Sequence, residues 1–273
     1  MTSMTKWCMT LASGLMMAAT TLAAGNPWDL KTPFREAELV YKVSGTMTGE
    51  KQVYLKDYGR TSASYSDTKM SIFGMEQAQK EIVITTPDWV YTFDMVEKQG
   101  SKQGNPQKYL IAEYNKLSSA DKKLVAQRAE ERGISMIAGL NGSIEKNAKK
   151  IQGYQCDKVS AMGTTVYTIA GTQLALRAEA SIMGVKIKEK IYELKKGRVD
   201  SDKFKLPEGI TPVYNASADQ MMKDHAKSVI ADLLSDEAAP SNHSARKAAI
   251  EEDNNESDDP AAQMQKMFQM FGN

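Results

Sequence analysis

Cysteine and histidine are nearly absent from this 273-residue chain, which has two of each. Cys8 falls at the extreme N-terminus, which leaves Cys156 alone, so a disulfide-stapled scaffold is excluded. His225 and His243 lie apart, with no cysteine or histidine at ligand spacing, which argues against a zinc site of the usual kind. No glycine-rich loop carries a phosphate-binding Lys-Ser/Thr, and there is no Gly-x-Ser-x-Gly elbow. A Cys156 nucleophile would need His225 as its base, and nothing in the sequence joins the two. Charge of one sign is not concentrated either. There are 35 Lys and Arg against 34 Asp and Glu, a formal net charge of +1, interleaved without a basic stripe. Phosphate recognition needs concentrated positive charge, so the composition argues against a nucleic-acid partner. No apolar run reaches the roughly 20 residues needed to cross a bilayer.

What is present begins with an export signal. Lys6 is the only charge before Asp29, and the apolar run Leu11–Ala24 has the length of a signal core. A positive start, a short apolar core and a small-residue exit make residues 1–24 a signal peptide, with cleavage after Ala23 or Ala24 and Gly25 as the alternative. Cys8 precedes the apolar core, so it is not a lipid-attachment cysteine. The sequence therefore predicts a soluble periplasmic protein, secretion being the other destination, without a transmembrane segment in the mature chain.

Strand signals follow. Glu38–Gly45, Gln52–Lys56, Thr61–Ser66, Gln79–Thr86 and Trp89–Asp94 alternate or are rich in β-formers, and turn residues separate them as in an antiparallel meander. After Pro106 the pattern turns helical. Ser118 with Asp121 forms a capping box, the helix runs from Lys122 to Arg132, and Gly133 stops it. Ile134–Leu140 is apolar and suited to packing on a sheet. Strands return from Lys150, at Cys156–Ala161, Thr164–Ala170, Leu174–Ser181 and Val185–Leu194. In the last, Lys186, Lys188 and Lys190 share one side, best read as a solvated sheet face. A second helix is capped by Ser217, with Gln220 three residues on, and carries the stripe Met222, Ala226, Val229, Ile230 and Leu233, which docks it on the domain.

Residues 25–235 thus form one domain. Residues 236–260 are acidic and poor in large apolar side chains, the composition of a disordered linker. Residues 261–273 place Met264, Met267, Phe268 and Phe271 on one side of a short amphipathic helix, a docking peptide for a partner groove or a membrane surface. Among the strand aromatics, Tyr41, Tyr54, Trp89, Tyr91 and Tyr167 are the candidates to line an apolar cavity on a curved sheet; ordinary core packing is the competing reading.

Four segments carry a family resemblance. Leu39–Gly45 with Val53–Gly59 resembles the opening of an exported bacterial family of unknown function, and Trp89–Asp94 is similar to its next strand. Ile151–Val159 resembles its G-Y-x-C segment, and Phe204–Gly209 its closing F-x-L-P-x-G. Over residues 38–213 the chain thus resembles the LolA/LolB-like lipoprotein carriers and localisation factors. The resemblance implies an α+β fold: a curved antiparallel sheet, an incomplete barrel, with helices packed on its concave side. It also implies an apolar cavity suited to acyl chains. The helix-bearing insert 101–142 and the Met/Phe tail depart from that pattern.

Two functions follow as expectations. The first is a non-enzymatic periplasmic binding protein holding a hydrophobic ligand or lipidated partner in a half-barrel cavity. The second is an envelope assembly protein that docks a protein partner through residues 261–273, with the half-barrel as scaffold. Neither calls for a cofactor, a metal or catalytic residues.

Overall fold

A computed structural model describes residues 26–235 other than 30, 73, 74 and 183. The predicted linker 236–260 and the peptide with Met264, Met267, Phe268 and Phe271 lie outside the described residues, as does the signal segment 1–24. The described chain forms one 12-stranded sheet, ordered β12-β6-β5-β4-β3-β2-β1-β11-β10-β9-β8-β7. Its first arm is β1 (Ala37–Gly45), β2 (Met47–Lys56), β3 (Thr61–Ile72), β4 (Met75–Thr85), β5 (Trp89–Asp94) and β6 (Gln99–Gly104). Its second is β7 (Ser143–Ile151), β8 (Tyr154–Ala161), β9 (Thr164–Ile169), β10 (Ala175–Ile182) and β11 (Val185–Lys196). The pairing of β1 with β11 joins the two arms into one antiparallel sheet. Only the two-residue strand β12 (Val213–Tyr214) pairs in parallel, with β6.

The sheet is curved and does not close, its free edges being β12 and β7. Right-handed twist curls a sheet this wide, and bulges sharpen the bend. Register shifts occur on β11 opposite Val40/Tyr41, on β10 between Ala175 and Arg177, and on β7 between Glu145 and Lys149. Three helices complete the described residues: α1 (Pro106–Asn115), α2 (Ser119–Gly139) and α3 (Ala216–Leu234). Helix α3 packs on α1, on α2 and on β6 near one end of the sheet, while α2 reaches β7 and β8 at the other. A trio that joins both ends lies on the side toward which the sheet curves. This is the predicted α+β half-barrel with helices on its concave side.

Two cores hold it together. On the sheet, Ala37, Leu39, Tyr41, Leu55 and Ile191 pack with Phe34, Cys156, Ile169 and Leu176. Between the helices, Leu110, Tyr114 and Val125 meet Ala226, Ile230 and Leu233, with Trp28 edge-on to Tyr114 at 5.8 Å. The stripe expected on α3 is therefore what docks it. One carboxylate ties the helices to the sheet. Asp219, 3% exposed, accepts hydrogen bonds from the Gly104 amide at 2.9 Å, Tyr109 Oη at 2.5 Å and Tyr214 Oη at 2.8 Å, and pairs with Lys223 Nζ at 2.9 Å.

Several element expectations are corrected. Gly133 does not stop α2, which continues through Ile134–Ile137 to Gly139; burial of Ile137 against Val159 and Ala161 outweighs the modest helix cost of one glycine. Ser118 caps α2 as expected, its hydroxyl accepting from the Asp121 amide and donating to the Asp121 carboxylate. At α3 the capping side chain is Asn215, which accepts from the Ala218 amide at 2.9 Å, and Ser217 lies inside the helix. Strands β6 and β7 and helix α1 are additions. β7, with Glu145, Lys146, Lys149 and Lys150, has too little apolar pattern to announce itself.

Candidate functional site

The register of the sheet assigns each side chain to a face. One cross-strand row runs Val159–Val166–Ala178–Glu189–Val43–Gly49–Thr68–Gln79, over eight strands from β8 to β4. Ile137 of α2 packs on Val159, so this row belongs to the inner, helix-facing side. Alternation along β1 puts Ala37, Leu39 and Tyr41 on the same side.

The inner face is divided. From β8 to β1 it is mostly apolar: Val159, Val166 and Val43 are buried, and Ile191, Tyr41 and Leu39 continue the surface, with Glu189 and, toward β8 and β9, Asp157, Thr164 and Thr168 as its polar members. From β2 to β5 it is more polar, although Leu55, Val53 and Val83 interrupt it. Every inward residue of β3 from Ser62 to Thr68 carries a hydroxyl, namely Ser62, Ser64, Ser66 and Thr68. Next to them lie Lys51, Glu81, Thr92 and Asp94, through the rows Tyr41–Lys51–Ser66–Glu81–Asp94 and Leu39–Val53–Ser64–Val83–Thr92. Small hydroxylic side chains project less far from the sheet than a Leu or Phe would.

The electrostatics mark the boundary between the halves. Lys51 Nζ lies 3.3 Å from Glu189 Oε2, both side chains partly buried. The Tyr41 hydroxyl donates to the Ala175 carbonyl at 2.8 Å, and burial, with Glu189 nearby, raises its pKa well above the ordinary phenol range. Glu81 stands directly opposite Asp94. Desolvation raises its pKa, Lys51 opposes that shift and Asp94 adds to it. Thr68, 2% exposed, has a hydroxyl without a hydrogen-bond partner among the described residues, as does the Gln79 amide opposite it.

The five aromatics chosen from sequence do not converge. Tyr41 belongs to the inner face, and Tyr167 packs against the core cluster that holds it. Tyr54 and Tyr91 share a row of the opposite face, Tyr54–Ala63–Ile84–Tyr91, under Val199 and Phe204. Trp89 sits at the β5 end between Lys102 and Lys108, whose Nζ atoms lie 3.8 and 4.4 Å from its ring, with Tyr214 edge-on at 5.9 Å. Tyr167 lies under the Arg177 guanidinium at 5.6 Å. The hydroxyl ladder is the signal that sequence reading passed over: Ser62, Ser64, Ser66 and Thr68 are legible as alternation once β3 is known to run to Ile72.

No family model matches the chain, and no curated protein matches it. Solved structures similar to it include three of low identity. An uncharacterized conserved protein from Thermus thermophilus matches at a TM-score of 0.38 and 9% identity, over 67% of this chain and 92% of that one. PNGF-II, in its C2 crystal form, matches at 0.33 and 11%, over 70% of this chain and 33% of that one. LprF from Mycobacterium bovis matches at 0.27 and 11%, over 63% and 89%.

The Cys156 thiol is fully buried in the sheet core, where burial pushes its pKa up, while His225 is exposed on α3. Among the described residues no group of three His, Cys, Asp or Glu could hold a metal ion. No described helix is long and apolar enough to cross a membrane. Two surface hollows, of about 400 and 440 Å³, are lined by charged side chains such as Arg35, Lys56, Lys196 and Arg198.

Proposed function

We propose that this chain is an exported, non-enzymatic carrier that binds an amphiphile on the inner face of its half-barrel. The observation that supports the reading is the division of that face. The apolar half, from Val159 to Leu39, packs as core under Ile137 and Phe34 in this structure and suits an acyl chain where the helical cover gives way. The hydroxyl half, with Lys51 and Glu81 at its edge, suits a polar or charged head group. An open sheet with a helical cover admits such a molecule from the side, and burial of a chain releases about 0.8 kcal/mol per CH₂ group. The resemblance of its strand motifs to lipoprotein carriers points the same way.

The test is native mass spectrometry of the exported chain purified without detergent, followed by solvent extraction. A stoichiometric lipid or other amphiphile is expected. Ser64→Trp, which fills the hydroxyl half, should reduce bound lipid several-fold while leaving the circular dichroism spectrum unchanged. A wild-type protein that carries no extractable amphiphile, and takes none up from micelles, would sink the proposal.

A further inference from the structure

The outer face of β1, β11 and β10 carries cations in an unfavourable arrangement. Lys190 stands directly opposite Lys42 on one side and Arg177 on the other, three cations in one cross-strand row. Like charges facing each other across a sheet destabilise it. Lys188 and Lys186 extend the array along β11, at about 7 Å per alternate residue. Acids adjoin the array: Glu179 stands opposite Lys188 and pairs with Arg177, Glu50 stands opposite Lys42 with its carboxylate accepting from Gln52 at 2.8 Å, and Glu193 pairs with Lys195 at 3.1 Å. Lys42, Lys186, Lys188 and Lys190 are exposed and make no ion pair among the described residues. Lys42 instead lies 4.4 Å over the ring of Tyr192, which is 61% exposed at the β11 bulge. At the adjoining hairpin tip Met162 is 63% exposed, and the Gly163 carbonyl accepts from the Ser181 amide, fixing that tip beside β10.

We infer that this outer face docks on an anionic lipid bilayer. A broad sheet surface whose four exposed lysines make no ion pair among the described residues, and outnumber the adjoining Glu50 and Glu179, complements a plane of anionic head groups rather than a single ion. An exposed tyrosine among lysines matches the composition of membrane interfaces, where an amphipathic ring sits at head-group level. A methionine at a hairpin tip, where Asn or Asp is the ordinary choice, adds an apolar contact at the rim. The face is separate from the amphiphile site on the inner side, so binding to a membrane and binding to cargo use different residues.

The experiment is co-sedimentation of the exported full chain with vesicles of phosphatidylcholine alone and of phosphatidylcholine with phosphatidylglycerol. Binding to the anionic vesicles is expected at low ionic strength, with loss on adding salt. Each lysine near an anionic surface contributes about a five-fold change in affinity. Lys186→Gln/Lys188→Gln/Lys190→Gln, with unchanged melting, should therefore lose on the order of a hundred-fold, and Lys186→Glu/Lys188→Glu/Lys190→Glu should lose more. The inference is overturned if wild type ignores phosphatidylglycerol, or if the glutamate variant, still folded by circular dichroism, binds as wild type does. Extractable amphiphile measured in the same variants separates this inference from the carrier reading, because neither triple substitution touches the inner face.

Discussion

Asp219 and Glu81 are both carboxylates inside the half-barrel, and their surroundings push them in opposite directions. Hydrogen bonds, first from Tyr109 and then from Lys223, Tyr214 and the Gly104 amide, outweigh burial and hold Asp219 well below the ordinary carboxylate range. A depressed folded-state pKa stabilises the fold above the unfolded carboxylate value of about 4 and loses that contribution as pH falls through the folded value. Asp219→Ala strands two tyrosine hydroxyls and an amide, so a loss of about 3 kcal/mol in urea unfolding at pH 7 is expected. The loss should shrink below about pH 4, where the wild-type contribution is itself titrated away. Glu81 has the opposite sign. Its folded pKa is raised, so its ionised form weakens the fold as pH rises through that value. Glu81→Gln should raise the melting temperature at pH 7 and leave it unchanged at pH 4; equal melting at pH 7 would show that Lys51 already compensates the charge. Neither role is legible in the sequence, because Gly104, Tyr109 and Asp219 meet only through tertiary packing.

At the scale of elements, local pattern governs where strong alternation or a capping side chain is present. The segment Trp89–Asp94 folds as the strand its residues predict, and Ser118 caps α2 by the geometry its spacing with Asp121 implies. Where the local signal is weak, neighbours decide. β7 is a strand because β8 offers its hydrogen bonds, despite a nearly continuous polar run. The helical core gives a direct test of packing: Ile230→Ala should cost about 2–4 kcal/mol, the range for a buried aliphatic truncation, and lower the melting temperature without changing lipid content. The turn between β1 and β2 gives another. Gly45 has φ +112°, and a Cβ there would sit 2.1 Å from the Lys186 carbonyl oxygen. Gly45→Ala should therefore shift the melting temperature down by several degrees and loosen the Thr46 amide, which donates to that same carbonyl, in hydrogen exchange.

The whole molecule is an open sheet, and open sheets have edges that must not pair with another copy. One edge ends in the two-residue β12. The other, β7, carries Lys146, Lys149 and Lys150, with a bulge in which the Asn147 amide turns to the Asp157 carboxylate at 2.8 Å. Replacing Lys149 and Lys150 with valine should produce concentration-dependent oligomers by light scattering, whereas wild type should not show them. The amino-acid sequence by itself determined the strand-rich, disulfide-free character of the domain, most strand positions, the cap of α2 and the docking stripe of α3. These follow from alternation, helical spacing and turn chemistry, which act over a few residues. Tertiary structure alone decided which face each strand turns inward. A one-residue register shift reverses a strand, and the bulges on β7, β10 and β11 change the alternation locally. In the unbulged arm from β1 to β5 it is the pairing register that puts Tyr54 and Tyr91 on the face away from Tyr41, and makes Ser62–Thr68, a plain polar run in sequence, a hydroxyl ladder on the inner wall.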